Sequence, residues 1–304
     1  MGVYRAAPDW HSAGRVPAAN AAFAGVAGAT VRILYTSHVN SSAPSASSPF
    51  PADAVLAARR ERGLVAVFDF DGTLVNIARS PEAVHMTPRT AARLETLAGR
   101  GDTTVGVVSG RPLDSLMRFV NAPSVWLFGL HGWEHREPRG TVVREWPAGA
   151  RELARRQIDL LARQLGTPQG ERIEDKGPIV AVHTRNTIEE RREHVERVVR
   201  AVQLPEFALV TGRRVLELRP VNGLTKGSAV RAIAATRPGA AILYIGDDTT
   251  DEDAFKVLGD EDFAVLVDDE HAHVERPAGA VTHARYSLSG TDAVAHVLDA
   301  LNAS

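Results

Sequence analysis

The 304-residue chain contains no cysteine. That absence excludes disulfides, thiolate metal sites and cysteine nucleophiles, and it suits a reducing cytoplasm. An excess of either charge is missing too, since 35 lysines and arginines face 37 aspartates and glutamates. Such a balance argues against a general binder of nucleic acid or membrane surfaces. Long apolar runs are also lacking. The most apolar early stretch, 18–35, is rich in alanine and glycine and broken by Asn20 and Arg32, too weak for a membrane-spanning helix. The start lacks the basic-then-apolar order of a secretory signal. No internal repeat is visible, and no paired-histidine spacing suggests zinc. The expectation is a soluble cytoplasmic protein with neither nucleic acid nor membrane as partner.

What is present divides into three parts. Residues 1–51 end in a Ser/Pro/Ala-rich run, 39–51, typical of a linker. They are expected to form a poorly ordered extension, with a short strand at 30–35. After a helical stretch at 52–62, apolar runs at 64–70, 103–108, 124–128, 241–245 and 263–267 alternate with helical stretches. Those helices are expected at 88–100, 113–120, 226–236, 251–258 and 289–301. Short continuous apolar runs between helices argue for a parallel sheet covered on both faces. Between 133 and 219 the rhythm changes. Helices over 149–165 and 188–202 interleave with strand-like runs at 141–145, 172–175, 179–183 and 215–218. The reading is an α/β fold, a doubly wound core over 52–132 and 220–304, interrupted by an α+β insertion over 133–219.

Residues 65–73 read VAVFDFDGT, an apolar strand ending in Asp69, Asp71, Gly72 and Thr73. Two carboxylates at the end of a buried strand are costly to hold together without a cation, and oxygen ligands suit a hard metal such as Mg2+. Ligands of open parallel sheets bind outside the carboxyl ends of the strands. By that rule Asp69, Asp71 and Thr73 meet Ser109, Gly110 and Arg111 from the second strand. The string YIGDDTTDED brings Asp247, Asp248, Asp251, Glu252 and Asp253, and Lys226 opens the preceding helix. Taken singly, Asp251 could be a helix N-cap and Ser109 a turn residue.

In order and spacing, DFDGT, the serine, the lysine and GDD resemble the haloacid dehalogenase (HAD) superfamily of aspartate-nucleophile phosphatases over 64–300. Finer strings look like the trehalose-6-phosphate phosphatases: SGR at 109–111, HG-x-E at 131–134, E-x-K at 174–176, H-x-R at 183–185, ELRP at 217–220 and GDDTTDEDAF at 246–255. The resemblance implies a HAD-like core with a cap, a Mg2+-dependent hydrolysis of trehalose 6-phosphate, and an aspartyl-phosphate on Asp69. It makes Asp71 the proton carrier. It assigns the metal to the Asp69 carboxylate, the Asp71 carbonyl and Asp247, with Asp251 holding a metal-bound water or orienting a ligand. Thr73, Ser109 and Lys226 would bind phosphate; Glu174, Lys176, Glu217, Arg185 and Glu134 would contact the sugar. His131 and His183 are expected to be structural or to touch the sugar. A small-molecule sugar phosphate is the implied substrate, and a trehalose-6-phosphate synthase of the same pathway is a partner to consider. The competing readings are another sugar phosphate (sucrose phosphate, mannosyl-3-phosphoglycerate), a mutase, and a catalytically silent sensor.

Overall fold

The computed structural model describes residues 48–78, 83–212, 214–221, 223–268 and 281–304. The expected extension, apart from 48–51, and its strand at 30–35 lie outside the described residues. A nine-stranded sheet forms the larger layer. In chain order its strands are β1 (Ser48–Pro49), β2 (Leu64–Asp69), β3 (Thr103–Val108), β4 (Trp126–Gly129), β5 (Glu134–Arg136), β6 (Val142–Arg144), β11 (Ala241–Gly246), β12 (Phe263–Val267) and β13 (Tyr286–Leu288). Their spatial order is β1-β13-β12-β11-β2-β3-β4-β5-β6. All neighbours from β1 to β4 are parallel, while β5 and β6 fold back antiparallel. From β2 the chain winds outward through β3 and β4, then returns to β2's other flank with β11 and winds the opposite way. That reversal opens a crevice at the carboxyl end of β2.

Strand alternation explains why this sheet is buried on both faces. Leu64, Ala66 and Phe68 of β2 join one core with Leu243, Ile245, Phe263 and Val265, whereas Val65 and Val67 join a second with Tyr244 and Ala264. Helices α1 (Ala52–Arg62), α2 (Pro88–Ala98), α3 (Leu113–Phe119) and α8 (Gly290–Ala303) supply the first core; α6 (Lys226–Ala234) and α7 (Glu252–Phe255) supply the second. Asp69 continues the odd-numbered series and so faces the α6 side. Thr225 caps α6 with a reciprocal bond pair to Ser228, which fixes Lys226 at the first helical position.

The second layer is a smaller antiparallel sheet, β7 (Arg172–Asp175), β8 (Val180–His183), β9 (Phe207–Gly212) and β10 (Val215–Pro220), in the order β7-β8-β10-β9. Helices α4 (Ala150–Leu165) and α5 (Glu189–Val202) cover one face, where Val180, Val182, Leu216 and Leu218 pack. The alternate residues Glu217 and His183 face the crevice instead.

Three expectations need correction. The strand expected at 141–145 does not belong to the insertion's sheet; as β6 it pairs with β5 at the edge of the larger one. Residues 48–49, read as linker, form the opposite edge, paired with β13. The helix expected over 251–258 is only the four-residue α7, after a 3-10 turn at Thr249–Asp251 whose start is capped by the Asp251 side chain accepting from the Asp248 N–H.

Candidate active site

A cleft of about 750 Å3 lies between the carboxyl end of β2 and the polar face of the smaller sheet, within the range of about 300–1,000 Å3 usual for small-molecule sites. Asp69, Asp71, Ser109, Glu174, Lys176, Arg185, Glu217, Lys226 and Asp247 all line it. Three expected site residues do not. Asp251 is wholly buried behind it. Thr73 is also wholly buried, with no partner for its hydroxyl among the described residues. Glu134 is a correction to the sugar-contacting set. Because β5 folds back along β4, its carboxylate accepts from the Leu113 N–H at 2.7 Å and from Arg144 Nε at 3.0 Å. It therefore caps α3 and does not enter the cleft.

On the β2 side, three carboxylates share one lysine. Lys226 Nζ donates to Asp69 Oδ1 at 2.6 Å and to Asp251 Oδ1 at 2.7 Å. Asp251 takes two further bonds, from the Tyr244 hydroxyl at 2.5 Å and the Asp248 N–H at 2.9 Å. Asp247 Oδ1 is buried with no partner among the described residues. Only glycine fits opposite Asp247: Gly72 has φ +88°, and a Cβ there would stand 2.0 Å from Asp247 Oδ2.

One ammonium cannot balance three buried carboxylates. Burial, then the Asp251 and Asp71 charges, push the Asp69 carboxyl up to about 8 against the pull of Lys226. Burial and Asp69 likewise raise Asp247 well above the usual carboxylate range. Burial works against the Lys226 charge, yet Asp251 and Asp69 outweigh it and raise its pKa. Ligand oxygens of Asp69, Asp247 and Asp251 lie within 4.8 Å of one another. This all-oxygen, under-neutralised set, with an orphaned oxygen on Asp247, fits a hard divalent cation. Asp251, already accepting three bonds, fits the role of orienting Lys226 better than that of a direct ligand.

Asp71 lies past the strand end, and both its oxygens are held by Arg111: Nε to Oδ2 and a terminal nitrogen to Oδ1, each at 2.6 Å. Ser109 is buried, and its Oγ accepts from the Arg111 N–H at 3.2 Å.

The smaller sheet brings a second charge cluster centred on Glu217. Lys176 Nζ donates to Oε1 at 2.7 Å, Arg219 reaches Oε2 at 2.6 Å, and His131 Nε2 lies 3.0 Å from Oε2. Burial opposes ionisation of Glu217, but Lys176 and Arg219 hold its carboxyl well below the usual range. Burial and the Arg219 charge push His131 down to about 3. The imidazole is therefore neutral at neutral pH and donates through Nε2. Lys176 also donates to the Gly110 carbonyl at 3.2 Å, so the two sheets are joined at both ends of this cluster. Glu174 pairs with His183 at 2.6 Å, and Arg185 donates to the Ala78 carbonyl.

Sequence reasoning gave no role to Arg111, Arg219 or Tyr244. Signals existed for all three. Arg111 completes SGR, Arg219 lies two residues from Glu217 on one strand face, and Tyr244 is the only hydroxyl in an otherwise aliphatic strand.

Residues 67–292 match the model of the trehalose-phosphatase family. The chain belongs to this family. It is 37% identical over 227 residues to the trehalose-phosphate phosphatase of Mycobacterium tuberculosis (strain ATCC 25618 / H37Rv), covering 71% of this chain and 58% of that protein. Identity to the Mycobacterium marinum trehalose-phosphate phosphatase is 36% over the same coverage. The chain thus spans just over half the length of these relatives. In fold it is similar to the C-terminal domain of the Candida albicans trehalose-6-phosphate phosphatase, with a TM-score of 0.71 at 20% identity over 85% of this chain and 99% of that one. The Aspergillus fumigatus trehalose-6-phosphate phosphatase gives a TM-score of 0.60 at 24% identity, over 85% of this chain and 99% of that one. The mixed α/β architecture, with a doubly wound core and a cap, is shared with these HAD-fold members. Among the described residues no helix is long and apolar enough to cross a membrane.

Proposed function

We propose that this family member hydrolyses trehalose 6-phosphate to trehalose and inorganic phosphate through an aspartyl-phosphate on Asp69. The observation that carries the reading is the under-neutralised trio of Asp69, Asp247 and Asp251 around Lys226, open to a cleft at the strand-order reversal. Asp69, Asp247 and the Asp71 main-chain carbonyl would hold Mg2+, with Asp251 orienting Lys226 beside them. Bound there, the ion would neutralise charge on the nucleophile and on the phosphoryl oxygens.

In the first step Asp69 attacks phosphorus, the bond from phosphorus to the sugar oxygen breaks, and Asp71 gives that oxygen a proton. In the second, Asp71 takes a proton from water, the water oxygen attacks phosphorus, and the Asp69–phosphorus bond breaks. Both carboxylates return to their starting state. Lys226 and Ser109 bind the phosphoryl oxygens, Lys226 as a point charge. Thr73, with its hydroxyl buried away from the cleft, would contribute through its main chain. Glu174, Lys176, Arg185 and Glu217 offer the donors and acceptors that a field of sugar hydroxyls requires. We read the insertion as a cap that shields the acyl phosphate from bulk water. The chemistry alone also admits another sugar phosphate; family membership favours the trehalose ester.

The test is phosphate release from trehalose 6-phosphate with Mg2+ and with EDTA, beside sucrose, glucose and mannosylglycerate phosphates and an Asp69→Asn variant. The expected result is metal-dependent release confined to the trehalose ester and abolished in the variant. Release from a different ester would keep the mechanism and discard the substrate. No release from any would sink the enzyme reading, and an isomerised sugar phosphate would mark a mutase.

A further inference from the structure

We propose that Arg111 is a positioning residue for Asp71, held in place by two phenylalanine rings, and that it sets the rate at which the sugar oxygen leaves. The inference rests on the phosphatase reading above and adds a residue to which that reading gave no role. The bridge that Asp71 makes with Val75 holds its main chain but does not fix its side chain. Asp71 lies two residues beyond the end of β2, precedes Gly72 with φ +88°, and its side chain is 34% exposed. A carboxylate so placed would sample several rotamers, only some of which reach a leaving oxygen.

Arg111 removes that freedom. Its side-on fork engages both carboxylate oxygens at 2.6 Å, which fixes the plane of the carboxylate as well as its position. The guanidinium is itself restrained, with its carbon 5.5 Å from the Phe70 ring centre and 5.3 Å from that of Phe119. Phe70 lies between the two aspartates in sequence and is fully buried; Phe119 closes α3, the helix that follows Arg111. The Arg111 main chain is tied at both ends, its N–H to Ser109 Oγ and its carbonyl to the Leu130 N–H at 2.8 Å. An arginine held at its main chain and its guanidinium therefore restrains a partly exposed carboxylate. Because both oxygens accept from Arg111, the fork has to yield one of them to a proton before Asp71 can pass that proton to the departing sugar oxygen. In this arrangement the guanidinium edge that carries Nε is engaged by Asp71 and is not offered to a phosphoryl group. A misplacement of about 1 Å costs about 100-fold in rate where a proton must be delivered in line.

The experiment compares Arg111→Ala, Arg111→Lys and Phe119→Leu with the wild-type protein in Mg2+. It measures kcat and KM for trehalose 6-phosphate and the inhibition constant of orthovanadate, which occupies the phosphoryl position without a leaving sugar. The expected result is a kcat about 100-fold lower in Arg111→Ala and Arg111→Lys, with KM and the vanadate constant within about 3-fold of wild type. Lysine keeps the charge but cannot make the fork, so it should not rescue. Phe119→Leu, with the fork present but one ring gone, should lose about 3-fold to 10-fold in kcat. A vanadate constant that weakens in step with kcat would make Arg111 a phosphoryl ligand and overturn the proposal. So would an unchanged kcat, or full rescue by lysine. Phe119→Leu and Arg111→Lys keep the idea testable if Arg111→Ala does not fold. A wild-type protein inert on the ester, by contrast, overturns the phosphatase reading and this inference with it.

Discussion

The cleft has two buried charge clusters, and they are built on opposite principles. On the larger sheet, Asp69, Asp247 and Asp251 have only the single ammonium of Lys226 among them, and burial drives the Asp69 and Asp247 carboxyls upward. On the smaller sheet, Glu217 alone receives Lys176, Arg219 and His131, and its carboxyl is driven down. The first cluster is short of positive charge and keeps an oxygen of Asp247 without a partner. It is complete only with something added. In the second the central carboxylate is saturated, only His131 Nδ1 lacks a partner among the described residues, and the cluster's bonds run from the smaller sheet to His131 and Gly110 on the larger. The first cluster is left short of positive charge; the second, which joins the two layers, is not.

Removing the central carboxylate from each cluster breaks the comparison most directly. Glu217→Ala leaves Lys176 and Arg219 buried without their anion and should destabilise the protein by about 3–5 kcal/mol. Asp69→Asn should do the reverse in metal-free protein at pH 8. There it removes a charge that burial disfavours, and Lys226 keeps Asp251, so stability should rise by about 1 kcal/mol. Urea unfolding of both variants in EDTA checks the pair. Two losses of equal size would show that the clusters are not built differently.

The comparison sharpens with pH. The folded-state carboxyl of Asp69, at about 8, lies above its ordinary value of 3.8. Native protein thus holds a proton that the unfolded chain releases, and stability from this group is lost as pH rises from about 4 through 8. A cation bound at the cluster takes the place of that proton. Mg2+ should therefore raise Tm by about 5 °C at pH 8 and by less than about 2 °C at pH 5. A shift independent of pH in thermal scans would detach the metal from Asp69.

How much of this was legible in the sequence depended on whether a residue sat on a strand end. Asp69, Ser109 and Asp247 terminate or follow apolar runs, and Lys226 opens a helix, so the rule for parallel sheets brings them together from the sequence alone. Glu134 and β6 were misplaced for a shared reason. Glu134–Arg136 reads EHR and Val142–Arg144 reads VVR, too short and too polar to show a strand period or say which sheet they join. Their antiparallel return along β4 is what carries Glu134 to the start of α3. Arg111 completes SGR, but the fork it makes depends on where Asp71 falls just before the turn at Gly72, which no spacing rule gives. The saturation of Glu217 was hidden likewise, because His131 reaches it from a residue 86 positions away.

The smallest effect separates the members of the Glu217 cluster from one another. The folded-state value of about 3 for His131 lies below its ordinary 6.5. Native protein excludes a proton that the unfolded chain accepts. This contribution is whole above pH 6.5 and is lost as pH falls through that value toward 3. Glu217 is also depressed, but from an ordinary 4.5, so its contribution is lost only below that pH. Between pH 6 and pH 5 the histidine therefore acts alone within this cluster. His131→Asn keeps a side-chain donor for Glu217 and removes the titration. Wild-type protein should lose about 1 kcal/mol more than this variant over that single pH unit, read from urea midpoints with Mg2+ present. Parallel curves would mean that His131 is as free to protonate when folded as when unfolded, and that burial and the Arg219 charge do not press on it.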